Sequence, residues 1–406
     1  MYRIWYSDEQ FGKYIYENTI LFDFDESEIK WSKIYESDAS NPSNFHGIPD
    51  HIKNILYLDA PDLIIEKDSE PIVSIEVTTE AGTGHNAFQR FGRIAAAIEN
   101  QVPALYIYPK AVYVQRKGDN GRWDMINPNI FKALEKTIRI YDIPALLFYF
   151  PTKHPEEPLH GKGIIYDNEY IGCPDRNSDE MKKLFETLNL ILTYGKKQVN
   201  EDIKIINKKI IKERLDWMQE QYSERGGYER VWSPDTSTMI VPTESIINYM
   251  QKFTSDGYNF GELLSSRKET LIYHANAYFR GDPYPGALAA LDYLHTRTGK
   301  TYEDRDLNLI MAWGNVSYDK KSGEINIKSK SKNDKKAIDA MIDMINKVAD
   351  KFILDKNYED INDSEIPRFY MQIRHGTAYS LRKEIRMFSY FADAIIFEDG
   401  ALWREG

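Results

Sequence analysis

Hydrophobic and polar residues alternate most clearly over residues 62–78, where the pattern predicts two short strands. Asp62–Lys67 reads as the first strand, and Ile72–Thr78 reads as the returning strand. The segment between them, Asp-Ser-Glu-Pro at positions 68–71, has the composition of a tight turn. We therefore predict a β-hairpin in the N-terminal third of the chain.

Helical and strand patterns surround this hairpin in an order that indicates the fold class. Pro49 and Asp50 open a short helix through about Leu58, since proline suits the first helical turn and aspartate caps it. The hairpin is followed by helix, strand, helix and strand at Asn86–Glu99, Pro103–Pro109, Asn129–Tyr141 and Pro144–Pro151. This order predicts an α/β (α+β) domain in which a mixed central sheet is flanked by helices.

A loop rich in Pro, Lys and Glu, Pro151–Pro158, divides the chain into predicted domains of residues 1–155 and 156–406. Helical patterns predominate after this loop, and we predict a mainly α-helical C-terminal region. These patterns cover residues 179–222, 243–253, 284–297 and 334–352. The predicted exceptions are a short hairpin near Ser317–Lys328 and a C-terminal hairpin that contains Ala394–Phe397.

Composition limits the classes of protein to which the chain can belong. The single cysteine, Cys173, excludes an internal disulfide framework and a cysteine-based zinc site. No stretch approaches the roughly 20 apolar residues of a membrane span, and the N-terminus lacks the apolar segment of a signal peptide. We therefore expect a cytoplasmic protein without a membrane partner.

The formal net charge of −11 disfavours a general polyanion binder, because neutralisation of phosphates by Lys and Arg dominates non-specific affinity for nucleic acid. The charge does not exclude a nuclease, since a site for divalent cations needs carboxylates and a basic groove can coexist with an acidic remainder. The 28 tyrosines are compatible with stacking surfaces, and equally with the codon usage of an AT-rich genome.

Two carboxylates of the predicted hairpin can bind the same metal ion. Asp62 begins the first strand and Glu76 lies near the end of the second, and strand alternation puts Thr78 on the same face as Glu76. Mg²⁺ is commonly held by one or two carboxylates, waters and substrate phosphate. The pair therefore indicates a site for Mg²⁺, or Mn²⁺ in its place, that polarises a phosphate and lowers the pKa of an attacking water. A plain surface hairpin with solvated acids is the alternative interpretation.

The sequence Pro61-Asp62, followed after thirteen residues by Glu76-Val77-Thr78, resembles the PD-(D/E)xK nuclease superfamily, which includes many restriction endonucleases. The resemblance covers the hairpin and the next helix, and more loosely the element order of the first 155 residues. It implies a restriction-endonuclease-like fold in which Asp62 and Glu76 bind metal. It also implies that Thr78 stands where the family has a lysine that helps to activate the water.

The helix after the hairpin carries polar residues on one face. His85, Gln89 and Arg93 are spaced by four residues, and Asn86 and Arg90 form a neighbouring row. The resemblance implies a role for a glutamine on this helix, which we assign to Gln89. Asn86 and the two arginines are candidates for phosphate and DNA contacts, and His85 is a candidate base that partly replaces the missing lysine. An exposed amphipathic face is the plain alternative.

A third acid often completes such a site, and three acids that precede the hairpin are candidates: Glu36, Asp50 and Asp59. Three residues nearer the hairpin are weaker candidates to approach the metal or supply an amine: Glu66, Lys67 and Glu80. Of these, Glu66 is expected to face solvent near the turn.

With the resemblance, these residues lead to the hypothesis of a metal-dependent endonuclease that cuts double-stranded DNA, as a sequence-specific type II restriction endonuclease does. The C-terminal region then recognises substrate or forms a homodimer, whose two-fold symmetry suits a palindromic site. Two alternatives stay open. One is another defence or repair nuclease on the same core, and the other is a nucleic-acid-binding protein whose catalytic centre has decayed.

Overall fold

The fold is that of a computed structural model, which describes fourteen segments and a few isolated positions: 1–35, 47–79, 85–109, 112–114, 122–124, 141–151, 164–195, 238–252, 267–274, 307–312, 314–328, 372–374, 392–398 and 400–405. The chain divides into two compact units. The first comprises Met1–Glu36 and Ser43–Trp232, and the second comprises Ser37–Pro42 and Ser233–Gly406. Each unit contains its own sheet.

Eight strands of the first unit are β1 (Tyr2–Tyr6), β2 (Ile29–Lys33), β3 (Leu63–Lys67), β4 (Glu70–Val77), β5 (Ala104–Pro109), β6 (Val112–Val114), β7 (Arg122–Asp124) and β8 (Ala145–Phe150). Six of them form a mixed sheet in the order β2-β1-β3-β4-β5-β8, while β6 and β7 pair separately. β3 and β4 are antiparallel, as the predicted hairpin requires, and β1 is antiparallel to β3. β4, β5 and β8 are parallel, as are β1 and β2.

The helices of the first unit are α1 (Glu9–Glu17), α2 (Asp50–Leu56), α3 (His85–Glu99) and α4 (residues 179–195), with short 3₁₀ turns at Ile20–Asp23 and Glu26–Glu28. Asp8 caps α1, because its carboxylate accepts the N–H of Phe11 at 2.9 Å. α3 crosses over between β4 and β5, which lie side by side and parallel and therefore need a long connection.

The two faces of the central sheet differ in chemistry. One face is apolar and forms a core with α1 and α4, whose members include Ile4, Tyr14, Leu63, Ile75, Leu105, Phe148, Leu184 and Leu188. Successive strand residues alternate between faces, so Glu76 projects to the side opposite Ile75. On that side it meets Arg93 of α3 at hydrogen-bonding distance. Glu76 is therefore enclosed between the sheet and a helix.

Glu66 illustrates how this polar face is covered. The β3–β4 ladder is irregular between Ile65 and Glu66, and the Glu66 carboxylate accepts the indole N–H of Trp5 at 2.8 Å. His51 Nε2 lies 3.3 Å from the same oxygen. Glu66 is buried, so the expectation that it faces solvent is wrong. The cause is tertiary, because β1 and α2 bring Trp5 and His51 over the hairpin.

The second unit contains β9 (Thr238–Pro242), α5 (Thr243–Gln251), β10 (Glu269–His274), β11 (Asn308–Ala312), β12 (Asn315–Asp319), β13 (Glu324–Lys328), β14 (Gln372–Arg374), β15 (Ala394–Phe397) and β16 (Gly400–Glu405). Six strands form a sheet in the order β14-β16-β15-β11-β10-β9, and β12 pairs with β13 as a separate hairpin. β11 lies between β10 and β15 and is parallel to both, whereas β15 and β16 form an antiparallel hairpin.

The predicted mixed sheet with flanking helices is confirmed, as are both C-terminal hairpins and the helix near 243–253. The helix predicted over 179–222 is described as α4 over 179–195. The mainly helical C-terminal region is not confirmed, because the described residues of the second unit form a sheet, a separate hairpin and one helix. The helices predicted at 284–297 and 334–352 lie outside the described residues, and the one at 129–141 is described only at scattered positions. No helix in the described segments is long and apolar enough to cross a membrane.

The first unit extends past residue 155, the position at which the sequence pattern divides the chain. Met181, Leu184 and Leu188 of α4 pack in the same core as Leu105 of β5. The sequence shows that α4 is amphipathic, but it does not show which unit receives the apolar face of the helix.

Candidate active site

Asp62 lies one residue before β3, beside the end of β4. Its Oδ2 atom accepts the N–H of Val77 at 2.8 Å, and its Oδ1 atom lies 3.2 Å from the hydroxyl of Ser7, which donates to it. The N–H of Ser7 also binds the main-chain carbonyl of Asp62 at 2.9 Å. These contacts fix the carboxylate at the open end of the hairpin, where Asp62 remains partly exposed.

Glu76 lies next to the last residue of β4, and its side chain is only 1% exposed. Nη1 of Arg93 donates to both carboxylate oxygens, at 2.8 Å to Oε1 and 3.0 Å to Oε2. Nη1 of Arg90 lies 3.1 Å from Oε1. Two arginines one helical turn apart on α3 therefore reach the same strand residue, as their i, i+3 spacing allows.

Asp59 extends this network on the other side of Arg93. Its Oδ2 atom accepts the Nε–H of Arg93 at 2.9 Å, and its Oδ1 atom accepts the N–H of Ala60 at 2.9 Å. The side chains of Asp59 and Arg93 are 0% and 8% exposed. Arg93 thus joins two buried carboxylates, a geometry that suits the planar guanidinium.

The charges of this network act on one another strongly. Burial raises the pKa of Glu76. The positive charges of Arg93 and Arg90 lower this pKa, whereas the nearby negative charge of Asp62 raises it. Burial acts to lower the pKa of Arg93, but Glu76, Asp59 and Asp62 together hold it well above its ordinary value. Asp62, Asp59 and Glu76 carry three negative charges when ionised, against two positive charges on the arginines.

The structure distinguishes among the candidates for a third acid. Asp59 joins the network through Arg93, whereas Asp50 has a side chain that is 92% exposed and pairs with Lys53. Glu36 and Glu80 lie outside the described residues. Asp59 is therefore connected to Glu76 through Arg93, which contacts both carboxylates.

Thr78 is buried, and its N–H donates to the carbonyl of Ile107 at 2.9 Å. It continues the pairing of β4 with β5 by one residue. Its short side chain carries no amine. Among the described residues, the cations that contact Glu76 are Arg90 and Arg93.

His85, Asn86 and Gln89 all belong to α3, so the helix predicted to carry them is present. Their side chains lie outside the described part of the structure. Among the five polar residues predicted on this helix, the structure describes the side chains of two, Arg90 and Arg93. Arg90 is 22% exposed, and Arg93 is more deeply buried. The roles assigned to the other three residues stay predictions.

Tyr106 is a member of this site that the sequence pattern did not single out. It is the β5 residue paired with Glu76 in the parallel ladder, and it is fully buried. Its phenol is affected by the charges of Arg90, Glu76, Arg93 and Asp62, and burial raises its pKa above the ordinary value. The sequence signal was a tyrosine inside an apolar strand, which by itself reads as core.

The carboxylates of Asp62 and Glu76 are of the donor type that Mg²⁺ uses, because this ion needs only one or two carboxylates and keeps several waters. A carboxylate has about four acceptor positions. The described contacts occupy two on Glu76 Oε1 and one on Oε2, which leaves a position on Oε2. No cluster of three or more His, Cys, Asp or Glu suited to a metal occurs within the described segments.

Comparisons of the chain with protein-family models, with curated proteins and with solved structures found no match.

Proposed function

We propose that the chain is a metal-dependent endonuclease of the PD-(D/E)xK type that hydrolyses phosphodiester bonds of double-stranded DNA, as a type II restriction endonuclease does. The observation that carries this proposal is the position of Asp62 beside the electrostatically coupled Glu76, at the end of one hairpin. The hairpin, the crossover helix α3 and the parallel strand β5 also follow the element order that the resemblance implies.

In this proposal Asp62 and Glu76 hold Mg²⁺, or Mn²⁺ in its place. Bound there, such an ion would supply the positive charge that polarises the scissile phosphate and makes a water more acidic. Arg93 keeps the Glu76 carboxylate in one orientation by binding both of its oxygens. Arg90, which is less buried, turns towards a DNA phosphate when substrate arrives. His85, Asn86 and Gln89 are proposed to contact the same phosphate from the start of α3.

The remaining features of the proposal follow from its substrate. A sequence-specific enzyme needs surface beyond the catalytic centre, and the second unit is proposed to supply base recognition or the contact of a homodimer. A cytoplasmic location follows for an enzyme that meets intracellular DNA. The acidic net charge confines DNA affinity to a local basic surface.

The direct test is cleavage of supercoiled plasmid with Mg²⁺ or Mn²⁺ by the wild type, Asp62→Asn and Glu76→Gln. Each isosteric change removes one negative ligand and should lower the single-turnover rate by at least about 100-fold, since metal-assisted charge stabilisation provides several kcal/mol. Asp68→Asn is the matched control, because Asp68 is an exposed acid at the opposite end of the same hairpin. Cleavage that survives both site substitutions would exclude this metal site.

A second candidate function is DNA binding by a catalytically decayed centre. Thr78 in place of the lysine favours it, and so does the occupation of both Glu76 oxygens by Arg93. Wild-type protein that binds DNA without cleaving it, and gains cleavage on Thr78→Lys, would support this candidate. Cleavage of RNA or of damaged DNA in preference to intact duplex would instead support another defence or repair nuclease.

A further inference from the structure

The hydroxyl of Tyr106 is buried and has no hydrogen-bond partner within the described part of the chain. Buried hydroxyl groups are normally paired, because an unpaired one has lost its hydration without compensation. A group of this kind beside ionised side chains requires a physical explanation. Tyr14 in the apolar core also has an unpaired hydroxyl, so it is the charged surroundings of Tyr106 that point to a partner other than the described residues.

Register and alternation put this hydroxyl on the site's side of the sheet. Tyr106 pairs with Glu76 in the parallel β4–β5 ladder, and paired residues project to the same face. Four charged groups that define the site, those of Arg90, Glu76, Arg93 and Asp62, act electrostatically on the phenol. On its other side the ring of Tyr106 packs against Tyr108, with centroids 5.3 Å apart.

The depth of Tyr106 restricts what it can bind. Both Tyr106 and Glu76 are 1% exposed in the protein without substrate, so whatever lies beside them before DNA binds must be small. A water molecule meets this condition, and a water needs two to four polar partners to be held. Tyr106 offers its hydroxyl, and Glu76, its neighbour in the β4–β5 ladder on the same face, offers its carboxylate.

We propose that Tyr106 holds the attacking water of the hydrolysis. It thereby takes over part of the role of the family's lysine, whose position is occupied here by Thr78. This inference rests on the nuclease activity proposed above. The water oxygen forms the new bond to phosphorus, the bond from phosphorus to the leaving sugar oxygen breaks, and the proton of the water leaves to solvent while the leaving oxygen takes one up. Tyr106 stays protonated throughout, and it orients the water by donating or accepting a hydrogen bond.

The test compares Tyr106→Phe with wild type in single-turnover cleavage of a DNA duplex with Mg²⁺, in metal-free DNA binding and in thermal unfolding. The variant should cleave about 100-fold more slowly, since misplacing a reactant by about 1 Å costs on that order. Its DNA dissociation constant should not rise above the wild-type range, and its melting temperature should not fall below it. Tyr14→Phe is the matched control, because Tyr14 is another buried tyrosine without a hydrogen-bond partner in the described segments, and it lies in the apolar core.

Four outcomes overturn the inference. Wild-type rates in Tyr106→Phe exclude a role in the reaction, and a loss of DNA affinity as large as the loss of rate indicates a phosphate contact instead. An equal slowing in Tyr14→Phe indicates a general structural effect. If wild type cleaves and Glu76→Gln does not, failure of the Tyr106 test leaves the proposed nuclease intact. A wild type that cleaves nothing overturns both.

Discussion

Replacing Arg93 with methionine retains an unbranched side chain of similar reach and removes the guanidinium that lies between Asp59 and Glu76. Arg93 is 8% exposed, and the Asp59 carboxylate that it contacts at 2.9 Å is fully buried. Two charges about 4 Å apart attract by about 4 kcal/mol at an effective dielectric constant of about 20. Removal of one partner from a buried pair costs about 3–5 kcal/mol, because the other charge is left uncompensated.

We therefore expect Arg93→Met to lower the free energy of unfolding of the first unit by about 3–5 kcal/mol. Asp59→Asn should cost a similar amount. The double variant Arg93→Met/Asp59→Asn should lose clearly less than the sum, since both members of one pair are then gone. The assay is unfolding in urea, monitored by hydrogen exchange of peptides from β3, β4 and β5. These peptides report the stability of the first unit separately from that of the second.

Lys13→Met is the control for this experiment. Lys13 pairs with Glu9 at 2.8 Å, but both side chains are more than half exposed. Removing that cation should leave the unfolding free energy unchanged within error, because solvent screens an exposed pair. Additive effects of Arg93→Met and Asp59→Asn, or a loss for Arg93→Met no larger than that of Lys13→Met, would refute the reasoning about a buried network.

Two further predictions concern other parts of the chain. Burial acts to raise the pKa of Asp167, but hydrogen bonds from Arg176 and from main-chain N–H groups lower it to about 2, from an ordinary value of 3.8. Ionised Asp167 therefore stabilises the fold above pH 3.8. Asp167→Asn should lower the melting temperature at pH 7, and this difference from wild type should shrink as the pH falls from 3.8 towards 2. A difference that stays constant over this range would contradict the prediction. In the second unit, Gly314 has φ +145°, and an added Cβ would lie 2.7 Å from the carbonyl oxygen of Lys328. Gly314→Ala should lower the stability of the β12–β13 hairpin, measured by hydrogen exchange, by about 1–3 kcal/mol. Gly323→Ala should cost less, because the nearest atom to its added Cβ is 3.6 Å away. Equal costs for the two variants would exclude the clash at Gly314.

Local patterns were sufficient for the elements that build the hairpin. The predicted strands at 62–67 and 72–78 and the helix at 86–99 agree with β3, β4 and α3 to within two residues. Alternation also separates Ile75 from Glu76 on opposite faces. These properties follow from neighbours along the chain and from the geometry of a single element.

The N-terminal elements were harder to predict, although they complete the sheet. β1 pairs with β3, and β2 pairs with β1, through residues roughly 25 to 65 positions apart. Such pairing leaves only a weak local signal, because its stability comes from distant strands. The burial of Glu66 beneath Trp5 depends on the same pairing.

The sequence by itself determined the hairpin that carries Asp62 and Glu76, the helix that carries Arg90 and Arg93, and the absence of a lysine at position 78. Only the tertiary structure decided that Arg93 joins Glu76 to Asp59, and that Tyr106 lies beside Glu76. The reason is that charge pairing and burial depend on which elements meet across the sheet. Side-chain spacing along one strand or helix restricts those meetings but does not select among them.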